Sequence, residues 1–153
     1  MPDFKYIVFP ILDQAQITLE KIFCTVEYSN RTVSLNGIEY HYVEKKEYED
    51  ESFESQLLGV FTPEYAEEYT EMMYSGDEPL YIDSDGDLYV NPLLLNEYTK
   101  SEYDRDAVYL TSYNEEESAA VRVTDEGGNV HNYELKMIDG IWYLNCKFDF
   151  LNF

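Results

Sequence analysis

The chain has 153 residues, the usual size of one domain, and 44% of them are hydrophobic, which is enough to build a core. It carries 32 acidic and 10 basic residues, for a formal net charge of −22. This charge argues against binding to nucleic acid or to anionic lipid, and it leaves a basic protein, a cation or a cationic polymer as partners.

The first third of the chain predicts a helix and a hairpin. Apolar residues recur at three- and four-residue steps over residues 11–26, which places them on one face of a helix. Residues 32–43 predict two antiparallel strands, because Asn36-Gly37 favours a two-residue turn with positive φ at both positions. The short N-terminal apolar run is broken by Pro10 and is not typical of a signal peptide. No apolar run is long enough to span a membrane.

Two shorter helices are predicted after a charged connector at residues 44–51. Residues 52–60 carry apolar side chains at helical spacing and predict the first of them. Thr62-Pro63 predicts the start of the second, because threonine caps helix N termini and proline suits the first helical position. Gly76 is placed to end this helix.

The stretch YIDSDGDLYV at residues 81–90 has three alternating aspartates, as a calcium loop would. An EF-hand loop needs glycine at its sixth position and a bidentate glutamate at its twelfth, where this chain has Leu88 and Leu94. We therefore interpret the stretch as a hairpin with Asp85-Gly86 at its turn, and the sequence predicts no metal site there.

The rest of the chain predicts four strands, AVYLTSYN, SAAVRVTD, NVHNYELKMI and IWYLNCKF, separated by tight-turn residues. Residues 91–106 have no clean period and predict a loop with one helical turn at most. Helices followed by a meander indicate the α+β class, with N-terminal helices packed on a curved antiparallel β-sheet. We expect one domain over residues 1–153. The oligomeric state stays open, because the strand AVYLTSY could pair with a second copy.

Few residues suit catalysis or metal binding. Cys24 and Cys146 form no CxxC pair, and we expect two buried thiols, with a bridge between them left open. His41 and His131 are the two histidines available for a catalytic pair. No nucleotide-binding, serine-hydrolase or zinc-protease motif occurs. The sequence therefore predicts no enzyme activity, no catalytic residue, no cofactor and no metal.

Three short motifs occur in a recognisable order: VFTP at residues 60–63, DGDLY at residues 85–89 and DGIW at residues 139–142. Over roughly residues 12–145 this order resembles the bacterial inhibitors of peptidoglycan DL-endopeptidases. More broadly, it resembles cystatin-like and nuclear-transport-factor-like α+β domains. The resemblance implies a secreted or cell-envelope protein without catalysis of its own, which blocks the active-site cleft of a cell-wall cysteine peptidase with a loop.

The resemblance places the inhibitory loop after the DGDLY strand, at residues 91–106. Its leucines and tyrosines offer apolar anchors, with Leu93 among them, and its acids suit a basic cleft. The candidate partner-binding residues are Leu94, Leu95, Glu97, Tyr98, Glu102, Tyr103 and Asp104. The alternative is that the leucines fill the open end of the sheet as core.

Three classes of function are compatible with these features. The first is a non-enzymatic protein–protein interaction domain, with a cell-wall DL-endopeptidase as the expected partner. The second is a ligand-binding module whose tyrosines, sixteen in all, line a cone-shaped pocket for a sugar, peptide or lipid. Apart from this hypothesis, we expect the tyrosines on the outer face of a sheet. The third is an enzyme of the same shape, which needs a His–Asp or Tyr–Asp pair inside the cone.

Overall fold

Helices and antiparallel strands make up an α+β fold, as the order of predicted elements indicated. The computed structural model describes residues 4–97, 102–114 and 117–148. Within these ranges, no helix combines the length and hydrophobicity that crossing a membrane requires.

The first helix, α1, spans Lys5–Phe23, so it begins and ends earlier than the predicted range of 11–26. Pro10 lies inside it and removes one backbone hydrogen bond. The apolar face nevertheless continues toward the N terminus, because Val8 and Phe9 are both buried. Burial of these side chains offsets the cost of the proline, which is why α1 extends before its predicted start at residue 11.

The two shorter helices are confirmed as α2, Phe53–Leu58, and α3, Pro63–Tyr74. Ser52 caps α2 by accepting a hydrogen bond from the backbone of the helix. Thr62 precedes α3 as predicted, but its hydroxyl donates to Asn145 Oδ1 at 2.9 Å instead of capping the helix. The threonine therefore ties α3 to the C-terminal part of the chain.

The first sheet has four strands in the order β1-β2-β4-β3. They are β1 Tyr28–Leu35, β2 Ile38–Val43, β3 Tyr81–Ser84 and β4 Asp87–Val90. Asn36-Gly37 joins β1 to β2, Asp85-Gly86 joins β3 to β4, and all four turn residues have positive φ. Both predicted hairpins are confirmed, and the aspartate-rich stretch is a chain reversal.

The second sheet has four strands in chain order. They are β5 Tyr103–Asn114, β6 Ser118–Asp125, β7 Val130–Ile138 and β8 Ile141–Leu144. These are the four strands predicted from the sequence, but β5 begins inside the stretch predicted as a loop at 91–106. Tyr103 is buried and pairs with Asp125 of β6, so the sheet extends further toward the N terminus than the residue pattern showed.

The strands form two sheets where the sequence predicts one. The connection between α2 and α3 occupies the outer edge of β8: the Thr62 N–H donates to the Leu144 carbonyl, and the Leu144 N–H donates to the Val60 carbonyl, both at 2.9 Å. These bonds use the groups with which another strand would pair, so the meander cannot extend the first sheet at this edge. One hydrophobic cluster includes residues of all three helices and both sheets.

Tyr81 joins α1 to the first sheet and to both short helices. Its side chain is fully buried, and its hydroxyl donates to the Ile22 carbonyl in the last turn of α1. Its ring packs against Phe53 of α2 at 5.6 Å and against Tyr74 of α3 at 6.5 Å between centroids. The last carbonyls of a helix have no partner within the helix, so this phenol satisfies a group that would otherwise be buried and unpaired.

Replacing Tyr81 with Phe keeps the ring contacts and leaves the Ile22 carbonyl without a donor. We expect the free energy of unfolding in urea to fall by roughly 1–3 kcal/mol, the usual cost of a buried unsatisfied group. Tyr109→Phe is the control, because Tyr109 is 61% exposed. Equal losses in the two variants would show that the hydroxyl of Tyr81 contributes nothing specific.

Candidate functional site

The predicted partner-binding loop begins with a tight turn directly after β4. Asn91 is buried, and its side-chain oxygen accepts a hydrogen bond from the Leu93 N–H at 3.1 Å. Pro92 takes the first position of the one-turn 3₁₀ helix that follows, where its fixed φ suits the geometry. We call residues 91–97 the leucine turn.

Both ends of the leucine turn are tied to the body of the fold. The Asn91 N–H donates to the Leu80 carbonyl, and the Asn96 N–H donates to the Phe23 carbonyl at the end of α1, both at 2.8 Å. The Phe23 carbonyl is another of the helix-terminal groups that need a partner outside the helix. The backbone of the leucine turn is therefore held in one shape by bonds that also complete α1.

The three leucines of this turn have different environments. Leu93 is 91% exposed and Leu94 is 40% exposed. Leu95 is half-buried and packs against the hydrophobic core. The two interpretations of the leucines thus apply to different residues: Leu95 belongs to the edge of the core, and the other two face solvent.

The other predicted contact residues are acids at the surface and one core tyrosine. Tyr103 is 5% exposed, and its hydroxyl lies 2.9 Å from the hydroxyl of Tyr133. A side chain that faces the core from a strand cannot also reach a partner, which corrects the assignment of Tyr103 to the contact surface. Tyr98 lies outside the described residues. The exposed acids of the predicted set are Glu97, Glu102 and Asp104.

The structure separates the predicted loop into two parts along α1. The leucine turn contacts Phe23 at the end of the helix, whereas Arg105 forms two hydrogen bonds with Asp13, at 2.7 and 3.0 Å, and lies over the ring of Phe9. Phe23 and Asp13 are ten residues apart, about 15 Å at 1.5 Å per residue. The two parts of the predicted loop are therefore attached to α1 at different points along its length.

The residue that sequence reasoning missed is Asn91. It makes no outward contact, yet its side chain sets the backbone that presents Leu93. The Asn-Pro dipeptide was the available signal, since asparagine side chains often bond the backbone two residues ahead and proline follows at the next position. The burial of Asn91 could not be inferred, because it depends on the neighbouring strand.

Among the residues that the structure describes, one His–Asp pair lies at the β6–β7 hairpin. His131 Nε2 is 2.9 Å from Asp125 Oδ2, and the same carboxylate accepts hydrogen bonds from the Asn129 N–H and side chain. These hydrogen bonds, that of His131 first, lower the pKa of Asp125 to about 2. All of these contacts close one turn, so the pair has a structural explanation. The other histidine, His41, bonds through Nδ1 to the Ser29 carbonyl at 3.0 Å.

The two cysteines are free thiols in this structure, so the open question of a bridge is answered in the negative here. Burial, followed by the nearby Glu20 carboxylate, raises the pKa of Cys24 to about 11. A thiol with that pKa is almost entirely protonated at neutral pH and is a poor nucleophile. No cluster of three metal-ligating side chains occurs among the residues that the structure describes.

Many tyrosines lie inside the fold, contrary to the expectation of an outer face covered with them. Tyr40, Tyr69, Tyr81 and Tyr133 are fully buried. Their rings pack against other rings, as in the Tyr133–Phe148 stack with centroids 5.4 Å apart. Aromatic side chains therefore fill part of the interior of the fold.

The surface clefts of the described part of the chain include a larger polar one and a smaller aromatic one. A polar cleft of about 340 Å³ lies beside α1 and is lined by Lys21, Lys46 and several amides and acids. Its lysines are engaged, since Lys21 donates to Gln56 Oε1 and Lys46 pairs with Glu27. A smaller cleft of about 200 Å³ has tyrosine walls and lies where α2, α3 and the first sheet meet.

A comparison with protein-family models finds no match for this chain, and a comparison with curated proteins finds none either. The case for a function therefore depends on the residues and geometry described above.

Replacing Asn91 with Ala should loosen the leucine turn. The variant loses the acceptor for the Leu93 N–H, and we expect the free energy of unfolding to fall by roughly 0.5–2 kcal/mol, as for other local side-chain caps. Amide hydrogen exchange at Leu93 should become faster. Asn96→Ala is the matched control, because only the backbone of Asn96 is tied to α1. Unchanged exchange at Leu93 in the Asn91 variant would contradict this role.

The Asp125 turn should show a specific pH dependence. Its folded pKa of about 2 is below the unfolded value of roughly 3.9. The Asp125 carboxylate therefore contributes its full stabilisation at pH values above its unfolded pKa, and this contribution is lost as the pH falls toward 2. Urea unfolding should find Asp125→Asn less stable than wild type at pH 7, with the difference shrinking toward pH 2. A difference in unfolding free energy that stays constant with pH would contradict a hydrogen-bonded carboxylate at Asp125. Glu126→Gln, in the same turn, is the control for the loss of one negative charge.

Proposed function

We propose that this chain is a non-enzymatic protein–protein interaction domain whose main contact is the leucine turn. The observation that carries the proposal is Leu93, which is 91% exposed on a backbone fixed by hydrogen bonds at both ends. A large aliphatic side chain held in this way gains hydrophobic free energy when a partner covers it. Because the turn is already ordered, little conformational entropy remains to be lost on binding.

The charge of the chain selects the kind of partner. With a net charge of −22, the chain attracts a basic surface over long range and repels acidic ones. Glu97 is exposed next to the leucines and adds a local acid to the contact. A partner with an apolar pocket inside a basic rim therefore fits this surface best.

The resemblance to inhibitors of peptidoglycan DL-endopeptidases supplies the partner class that we propose. In that arrangement the leucine turn enters the active-site cleft of a cell-wall cysteine peptidase and excludes its substrate. Two facts support this choice: the turn follows the DGDLY strand, at the position that the resemblance implies, and it projects Leu93 and Leu94 into solvent.

Titrating the protein into a purified DL-endopeptidase and following cleavage of a cell-wall peptide tests the proposal. We expect activity to fall to a low plateau, and Leu93→Asp to weaken binding at least tenfold, about 1.4 kcal/mol. Raising the salt concentration should slow association.

Ile141→Asp is the matched control for the leucine variant. Ile141 is 57% exposed, and the adjacent Trp142 packs against Phe4 at the opposite end of α1, about 28 Å from the leucine turn by helix length. Full peptidase activity at saturating protein would exclude inhibition. Binding that Leu93→Asp leaves unchanged would exclude this contact surface, even if another part of the protein binds.

A further inference from the structure

The smaller cleft has an apolar floor, aromatic walls and an acidic rim. Phe53 of α2 and Leu88 of β4 are buried at its base. Tyr48 and Tyr74 are half-buried and form walls. We call this site the aromatic cleft. Its volume of about 200 Å³ is below the usual range of roughly 300–1,000 Å³ for drug-sized ligands, so it suits a small group.

The rings of the cleft are held in place by packing below it. Tyr48 and Phe53 meet edge to face, with centroids 6.0 Å apart. Tyr74 and Phe53 both rest on Tyr81, which is fixed by its bond to α1. The aromatic walls are therefore positioned by packing before any ligand binds.

Two carboxylates stand at the rim, on different elements. Glu54 comes from the first turn of α2 and Asp83 comes from β3, and both are exposed. Their charges reach the Tyr74 hydroxyl: its pKa is raised by burial first, then by Asp83 and Glu54. None of the lining residues is basic, although Lys45 is close enough to Tyr48 to affect its pKa slightly.

We propose that the aromatic cleft binds a small organic ammonium ion, with a methylated ammonium group as the preferred class. Aromatic faces attract such cations through their quadrupoles, most strongly where water is excluded. The two carboxylates add attraction from two different elements, and the net charge of −22 raises the local concentration of cations. An anionic ligand would meet repulsion from every one of these groups.

A methylated ammonium group suits the cleft better than a primary amine does. A primary ammonium needs several hydrogen-bond acceptors around it, whereas this cleft offers carboxylates at its rim and the hydroxyl of Ser52 is already bonded to Ser55. Methyl groups can lie against the rings and the leucine of the cleft while the charge remains within reach of the rim carboxylates. This site does not depend on the leucine turn, and either proposal can fail without the other.

The test uses choline as the probe and its uncharged carbon analogue, 3,3-dimethylbutan-1-ol, as the comparison. Both are titrated into the whole protein at constant ionic strength set by NaCl, with binding followed by backbone amide shifts in NMR spectra. We expect choline to shift amides around Phe53, Asp83 and Leu88 in a saturable way. The analogue should bind at least fivefold more weakly, because it has the same shape without the charge.

Two variants separate the contributions of the cleft. Tyr74→Leu removes one aromatic wall and should weaken choline binding about fivefold. The double variant Glu54→Gln/Asp83→Asn should weaken it to a similar extent or more. Its control, Glu64→Gln/Glu67→Gln, removes the same two charges from exposed positions at the other end of α3. Thermal unfolding shows whether each variant is folded.

Several results would overturn the proposal. Equal binding of choline and its neutral analogue to the wild-type protein would exclude a cation site, whatever the variants do. Equal losses in the two double variants would show that choline responds only to the overall charge. If putrescine bound as tightly as choline and Tyr74→Leu had no effect on binding, the carboxylates would be attracting the cation without help from the rings.

Discussion

The fold depends on how the C-terminal end of α1 is completed. Its last carbonyls are buried and receive a phenol hydroxyl from Tyr81 and a backbone N–H from Asn96. The same tyrosine supports Phe53 and Tyr74, two rings of the aromatic cleft. The buried carbonyls at the end of α1 need hydrogen-bond donors from the protein itself. The donors that supply them connect α1 to the first sheet, both short helices and the leucine turn.

The excess of negative charge is accommodated by using the few basic side chains as links between elements. Arg105 joins β5 to α1, and Arg31 joins β1 to Asp87 while lying over Tyr42 at 4.8 Å. Exposed ion pairs of this kind add little stability by themselves, but stacking on a ring gives an arginine a defined position. Because these cations are paired with carboxylates of the same chain, the surface remains strongly acidic, which favours basic partners and cationic ligands.

The candidate sites were only partly visible in the sequence. The pattern placed exposed leucines and acids after β4, and Leu93, Leu94 and Glu97 do face solvent. It could not show that Tyr103 faces the core, because the first residues of β5 have no alternating apolar pattern before they pair with β6. Nor could it show the aromatic cleft, whose walls Tyr48 and Tyr74 are 26 positions apart and are linked through Phe53 and Tyr81.

The sequence by itself determined the α+β class, the two short helices, both dipeptide turns and the four C-terminal strands, because these depend on local spacing and on residues with few allowed backbone conformations. Tertiary structure alone decided that α1 continues through Pro10, that the strands divide into two sheets, and which tyrosines are buried. Each of these outcomes results from contacts between residues far apart in the chain. Such contacts outweigh local preferences when the apolar area that they bury exceeds the local cost.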